Sequence, residues 1–471
     1  MHGEENMKHV DISELFEQSE HFIGKHVTVC GWVRTSADVK PMIFIQINDG
    51  TTSLRNLQLT INQTAMSDEE QIGMIRSAMP VGTALRASGI LVLSDRNGIE
   101  LEVQQIDILG DCPSDYPLQK KKAGLDYIRT IPHLRVRTNF IKSVLTVRAR
   151  LAYAIHNYFT ERGYKYLHAP IITNSDCEGA GDMFRITTQP WDAKYKSAEE
   201  YFADDYFGCK AGLAVSCQLE GEMAAVGGLG KIYTFGPTFR AEHSDTSKHV
   251  AEFWHVEPEI CFVDIDEIIV IAQDFIKTVI KDAMDNCKEE LEFFEKFTEK
   301  GLIKKLENVV SSEFVRLDYT EAIRLLSENN DAFKYKVKWG DDIQTEHEHY
   351  LTETVFNCPV FIINFPKELK SFYMKQNSDG KTVAATDLLV PGIGEIIGCS
   401  ERETDYDKLL EAMKARNMSI SEYQDYLDLR KYGSVQHSGF GLGFDRLVMY
   451  VTGVSNIRDV LQFPRTYKHI Y

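Results

Sequence analysis

Five β-prone runs, His26 to Val33, Met42 to Asn48, Leu54 to Ile61, Thr83 to Leu93 and Ile99 to Leu109, are crowded into the first quarter of the chain. Turn signals such as Asn48-Asp49-Gly50 and Asp95-Arg96-Asn97-Gly98 separate them, and a long polar excursion divides the third from the fourth. Five short strands so spaced match a small closed barrel of the OB type. Barrels of this kind commonly read single-stranded nucleic acid. Phe44 is placed to stack on an unpaired base, with Gln46 and Gln58 to hydrogen-bond it. The competing reading is a core aromatic flanked by solvated glutamines.

Pro113 to Pro132 reads as a linker with prolines and the run Lys120-Lys121-Lys122. Residues 1–112 are therefore expected to form the barrel domain with an N-terminal extension, 113–135 a hinge, and 136–471 a second domain. The second domain opens on a helix, with Phe140, Val144, Val147, Leu151, Ile155 and Tyr158 at helical spacing, a cap at Thr138 or Asn139 and a stop at Gly163. A strand from Tyr164 to Ala169 follows, closed by Pro170. Helix and strand together could form a self-complementary dimer seam or simply a core helix. Asp264-x-x-Glu267 is a capping-box pattern ahead of an apolar helix from Ile268 to Met284, and residues 288–310 form a charged, helical insertion. Strands resume near Val360 to Asn364 and Val383 to Leu389. The order predicts an α+β domain built on a mainly antiparallel sheet flanked by helices.

A chain of 471 residues exceeds one ordinary core, and a net charge of −18 argues against a generic polyanion binder, so nucleic-acid contacts must be local. No apolar run approaches the roughly 20 residues that cross a bilayer. The acidic start, with Glu4, Glu5, Asp11 and Glu14, resembles neither a secretory signal nor a transit peptide. Nine scattered cysteines without a CxxC pair suit a reducing, cytoplasmic setting. Of these, Cys217 and Cys399 lie next to candidate site segments.

Four segments converge on one chemical task. Phe239-Arg240-Ala241-Glu242 and Glu252-Phe253-Trp254-His255-Val256-Glu257-Pro258-Glu259 read as a hairpin whose connecting loop, His243 to His249, is mobile and carries Lys248 and His249. Arg240 offers a planar fork for phosphate oxygens, and Phe253 a flat face for a purine. A glycine-rich acidic loop at Asp176 to Asp182 brings Glu178 toward an ammonium group. Ser216 and Gln218 could bond a small polar substrate. Asp387 and Glu395 flank a Pro-Gly turn and could share one magnesium ion, and Gly441-Leu442-Gly443 lets a backbone approach closely ahead of Arg446.

With these segments in order, the chain resembles the class II aminoacyl-tRNA synthetases of subgroup b, and within them the bacterial-type, asparagine-activating branch. His133-Leu134-Arg135-Val136-Arg137-Thr138 with the helix ending at Pro170 matches motif 1. Phe239-Arg240-Ala241-Glu242 to Glu259 matches motif 2, and Gly441-Leu442-Gly443-Phe444-Asp445-Arg446 matches motif 3.

The resemblance implies an ATP-dependent, AMP-forming ligase that makes asparaginyl-adenylate and passes asparagine to tRNA(Asn), working as a homodimer through motif 1. It implies that Arg240 holds the α-phosphate and carboxylate, that His249 and Arg446 serve the γ-phosphate end, and that Phe253 and Arg446 sandwich the adenine. Glu242 and Gly443 would also line the ATP site, with Asp387 and Glu395 as Mg2+ ligands. Glu178, Ser216, Gln218, Glu257 and Arg402 would hold the amino acid, and Phe44 and Gln58 the anticodon.

Aspartate-specific members carry an aspartate where this chain has Glu257 and a lysine where it has Gly221, which favours an amide substrate here. Three further departures stand out: Ser36 and Ala37 where arginines are frequent, Lys248 for arginine, and Cys399 for glycine. The alternatives are a non-catalytic RNA-binding or regulatory relative, an aspartate-activating one, and an enzyme that amidates an aspartyl adenylate.

Overall fold

A computed structural model describes residues 9–65, 69–119, 123–177 and 183–470. Glu178 and the Lys120-Lys121-Lys122 run lie outside these residues. The chain divides into two compact units, Met1–Thr146 and Val147–Tyr471.

In the first unit β1 (His26–Val39), β2 (Met42–Asn48), β3 (Leu57–Asn62), β4 (Ala84–Ser94) and β5 (Gly98–Gly110) close a barrel in the order β1-β2-β3-β5-β4. Strict alternation builds it: Ile43, Ile45 and Ile47 point inward with Val27, Val29, Leu57, Leu59, Leu85 and Leu101. Phe44 therefore falls on the outer face and is absent from the core. The first strand runs six residues beyond its expected end, and a bulge between Val33 and Thr35 lets it turn with the barrel wall. The polar excursion holds a helix, Glu69–Ser77, which predominantly β-like sequence reasoning passed over.

The second unit is an eight-stranded sheet of β6 (Lys165–Tyr166), β7 (Lys231–Phe239), β8 (Glu252–Cys261), β9 (Val315–Asp318), β10 (Val360–Ile363), β11 (Ala385–Val390), β12 (Gly394–Glu401) and β13 (His437–Gly443). Its order is β9-β10-β11-β12-β13-β8-β7-β6, antiparallel except at the two edges. The expected strand from Tyr164 to Ala169 shrinks to the two residues of β6, because only those pair with β7.

Across one face lies the helix Ile265–Asn286, whose Asp264/Glu267 capping box forms on both sides. It buries Ile268, Ala272, Phe275, Ile276, Val279 and Ile280. The insertion at 288–310 resolves into two helices, Lys288–Phe297 and Leu302–Ser311, with an αL glycine, Gly301, at the corner between them.

Candidate functional site

The opposite face of the sheet carries the chemistry, and period-two alternation explains why. On β8 the residues Phe253, His255, Glu257 and Glu259 share that face. On β13 it is lined by Gly439, Gly441 and Gly443, of which Gly439 pairs with Glu259 and Gly443 with His255. On β12 it bears Gly398, Ser400 and Arg402 at its end, and on β11 Asp387, opposite Gly398.

The glycines make the room. A methyl built on Gly439 would stand 2.3 Å from Glu259 Oε1, and one on Gly398 would meet Glu395 Oε1 at 3.4 Å and Asp387 Oδ1 at 3.7 Å. The result is a cleft of about 410 Å3 lined by Ser216, Gln218, Arg240, Glu242, Lys248, His249, Phe253, Glu257, Asp387, Glu395, Arg402, Gly443 and Arg446. Every expected catalytic, ATP, amino-acid and metal residue among the described residues is thus brought to one cavity.

At the cationic end, the Arg240 guanidinium lies 5.2 Å above the Phe253 ring. His249 Nδ1 is 2.5 Å from Thr246 Oγ1, and its Nε2 stands 4.0 Å from Glu242. Burial lowers the His249 pKa; Glu242 opposes that, and Arg446, Arg240 and Lys248 deepen it. A further cation is recruited from outside the motifs: Lys370 Nζ sits 2.5 Å from Asp387 Oδ2. The loop expected to be mobile is fixed at several points, with Lys248 Nζ donating to the Ile393 carbonyl at 3.1 Å and Ile457 N to the Ser247 carbonyl at 2.8 Å.

Asp387 and Glu395 converge as the Pro-Gly turn suggested. The Asp387 charge, with burial adding to it, raises the Glu395 pKa, the mutual repulsion that a divalent cation would relieve. Nearby Glu348 is pushed up to about 7, by burial first and then by Glu395. Among the described residues no cluster of three ligating side chains is formed, so a cation held here would draw its remaining oxygens from phosphate and water.

At the polar end, Glu257 is anchored and 4% exposed. Ser216 Oγ donates to its Oε1, Cys217 N donates to Oε2 at 2.9 Å, and His255 Nδ1 stands 3.2 Å away. Burial raises its pKa, but His255, Ser216 and the Cys217 amide outweigh that and bring it to about 2. Facing it, Arg402 donates from Nε and Nη2 to Glu259 and from Nη1 to Ser400 Oγ at 2.5 Å. Gln218 donates to Glu222 at 2.9 Å. Gly221 lies against this pair: a Cβ there would touch Ile232 at 3.3 Å and Glu259 Cγ at 3.4 Å, so a longer side chain would crowd Glu259. Cys399 also lines the cleft but is 3% exposed, and burial drives its thiol pKa far up, which fits a packing role over a redox one.

Motif 3 is tied to the rest of its unit by Asp445, which sequence reasoning assigned nothing. Arg148 Nη1 donates to Asp445 Oδ1 at 2.5 Å, and Trp254 N to its Oδ2 at 2.9 Å. Lys370, Glu348, His255 and Glu222 were missed as well. His255 stands in the motif 2 run, where period two from Phe253 and Glu257 already puts it on their face; Lys370, Glu348 and Glu222 lie outside the strands, and only long-range packing brings them to or behind the cleft.

On the barrel, Phe44 and Gln46 are half-exposed on the outer face, and Gln46 Nε2 donates to Gln58 Oε1 at 3.3 Å. Arg34 is turned to Arg137 O and Asn139 Oδ1 instead of to open surface.

A cleft of this composition on a sheet of this order defines a class of protein. Residues 125–467 match the family "tRNA synthetases class II (D, K and N)", and residues 27–109 the "OB-fold nucleic acid binding domain". The chain belongs to the class II tRNA synthetases of that group.

Its similarities point to one branch. It is 48% identical to an asparagine–tRNA ligase of Acetivibrio thermocellus over 98% of this chain and 99% of that one. It is 49% identical to the asparagine–tRNA ligase of Treponema denticola, over 94% and 96%. The crystal structure of asparaginyl-tRNA synthetase from Pyrococcus horikoshii complexed with asparaginyl-adenylate superposes with a TM-score of 0.86 at 32% identity, covering 99% of this chain and 100% of that one. A putative aspartyl-tRNA synthetase from Leishmania major, 21% identical with a TM-score of 0.82, shares the fold.

Proposed function

We propose that the chain activates L-asparagine with ATP to asparaginyl-adenylate and pyrophosphate, then transfers asparagine to tRNA(Asn). The observation that carries this reading is the pairing of a cationic end, Arg240, Lys248 and Arg446 with the His249 ring beside them, with a polar end built on Glu257 and Arg402 in one cleft. Activation needs the amino-acid carboxylate in line with the α-phosphate, and it needs charge developing there to be met by fixed donors.

Arg240, whose guanidinium lies 5.2 Å from the Phe253 ring where a purine would stack, is proposed to hold the α-phosphate. Arg446 is proposed to extend the cationic lining toward the β- and γ-phosphates, with His249 offering a ring N–H there. A magnesium ion, when bound, would offset triphosphate charge; Asp387 and Glu395 are the residues that would hold it, and Lys370 is ion-paired to Asp387. Glu242 would meet the adenine side.

In the amino-acid pocket, Glu257 retains lone pairs to accept from an amide NH2. By the donor inventory, Arg402 keeps N–H groups beyond those given to Glu259 and Ser400, and these would reach the amide oxygen. A substrate carboxylate would instead face Glu257 at like charge. Ser216 and Gln218 brace the pocket, and Glu178, outside the described residues, is proposed for the α-amino group.

No nucleophile on the protein is required. The barrel would read the anticodon through Phe44 and Gln58. The chain is proposed to act in the cytoplasm as a homodimer through motif 1, with domain boundaries near 112 and 136.

The test is ATP–pyrophosphate exchange with each amino acid, followed by charging of a tRNA with a GUU anticodon. Exchange supported equally by aspartate would remove the reading.

A further inference from the structure

Behind Arg402 lies a buried carboxylate that the reaction described above does not use. Glu222, in the helix Gln218–Ala224, is completely buried. Its Oε1 accepts from Gln218 Nε2 at 2.9 Å and stands 3.8 Å from Arg402 Nε. Its Oε2 accepts from Tyr426 OH at 2.8 Å and Arg430 Nη2 at 3.0 Å, with His437 Nε2 at 3.1 Å.

Two residues of the amino-acid pocket, Gln218 and Arg402, are thus held from the rear by one side chain. Arg402 is consequently bracketed by two carboxylates, Glu259 in a two-bond fork and Glu222 beside its Nε. Burial penalises the charged form of Glu222, but His437, Arg430 and Arg402 outweigh that and keep it ionised.

We infer that Glu222 is a specificity-determining residue: by balancing the charge of Arg402 it leaves that guanidinium able to donate to a neutral amide oxygen but without net attraction for a substrate carboxylate. The inference rests on the asparagine reading and deepens it. Selection at such a site is a difference between two affinities, and a fixed negative charge set against the unwanted carboxylate supplies the repulsive half. Gly221, the residue before Glu222, contributes by omission. A cation there would lie against Glu259 and undo the balance. Glu222 acts through Arg402 and Gln218 and is a positioning residue, touching no substrate itself.

The experiment is pyrophosphate exchange with asparagine and with aspartate, by the wild-type chain and by Glu222→Gln. The glutamine keeps the shape and removes the charge. The ratio of kcat/KM for asparagine to that for aspartate is expected to fall at least about tenfold, chiefly through a lower KM for aspartate. Partial unfolding lowers both rates alike and leaves the ratio where it was, so an unchanged ratio overturns the inference.

Should the glutamine leave Arg430 unpaired and the chain unfolded, the double variant Glu222→Gln/Arg430→Met removes both buried charges. Because it removes one charge of each sign, its ratio is expected to stay near the wild-type value, whereas Arg430→Met alone, which leaves Glu222 with Arg402 as its guanidinium partner, is expected to raise the ratio; a fall in the double variant, or no rise in the single one, overturns the charge argument. His437→Gln loosens the packing around Glu222 while keeping its carboxylate. Its ratio is expected to stay at the wild-type value; a fall as large as that of Glu222→Gln would assign the effect to packing and overturn the charge argument. A wild-type chain that exchanges equally with both amino acids fails the asparagine reading itself, before any variant is compared, and takes the inference with it.

Discussion

Gly439→Ala is the substitution whose consequence the geometry fixes most tightly. Its backbone is ordinary extended strand, so an alanine is conformationally permitted and the effect is steric alone. The added methyl would lie 2.3, 2.4 and 2.5 Å from Oε1, Cδ and Oε2 of Glu259, and the carboxylate must move roughly 1 Å to regain van der Waals contact. That carboxylate is held in the Arg402 fork, and both side chains are almost fully buried, at 1% and 3% exposure. Overpacking of this kind costs roughly 1–3 kcal/mol of stability. A displacement of about 1 Å at a substrate-orienting arginine is of the size that costs up to about a hundredfold in rate.

The variant is therefore expected to unfold at a lower denaturant concentration and to show a KM for asparagine raised at least about tenfold, with KM for ATP close to normal. Gly441→Ala is the stability control. It stands in the same strand, but its methyl would meet His255 at 3.4 and 3.5 Å, near ordinary contact, and unfolding should shift by less than about 1 kcal/mol. Denaturant unfolding and steady-state exchange measure both. Wild-type stability and a wild-type asparagine KM in Gly439→Ala would refute the claim that the glycine exists to seat Glu259.

Arg240→Ala is expected to lower adenylation at least about a hundredfold, as the loss of one fixed donor to developing charge does, measured by single-turnover exchange. Phe44→Ala should raise the KM for tRNA in charging while leaving amino-acid exchange unchanged, because the ring lies on the outer barrel face and contributes nothing to the core. Lys142, whose pKa burial and then Arg34 lower to about 8 against the pull of Asp49, binds fewer protons folded than unfolded between pH 8 and its ordinary value of 10.5. The contribution of Lys142 to stability should therefore grow with pH across that window, against the opposite contribution of buried thiols and phenols whose pKa values are raised. Lys142→Met should lack that contribution, so the wild type should gain stability relative to the variant as pH rises from 7.5 to 10.5, as followed by thermal unfolding of both; a difference that stays constant with pH would refute it.

Local patterns in the chain determined a good deal. Alternation in Met42–Asn48 placed Ile43, Ile45 and Ile47 on one side and Phe44 and Gln46 on the other, because a strand has a period of two and a barrel has one inside. The Asp264-x-x-Glu267 box marked its helix start, because a cap is a contact within four residues. Motif residues could be assembled into one site, since Arg240, Glu257, Glu395 and Arg446 sit in runs whose residue types already suggest phosphate, cation and purine.

What the sequence could not reveal depends on partners far apart in the chain. Glu222 and Arg430 are 208 residues apart, and nothing near either says that the carboxylate is buried, balanced and set behind Arg402. Lys370 meets Asp387 only because β11 lies where it does in the sheet. Gly441 and Gly443 read as room for a close backbone approach ahead of Arg446, and Gly439 was assigned nothing. Register alone shows that Gly439 makes room for a protein carboxylate, since its neighbour across the ladder is Glu259. Sequence named the residues that would touch a substrate; tertiary structure decided how much charge each of them still has to offer, because that balance is set by long-range neighbours in a buried place where water cannot screen them.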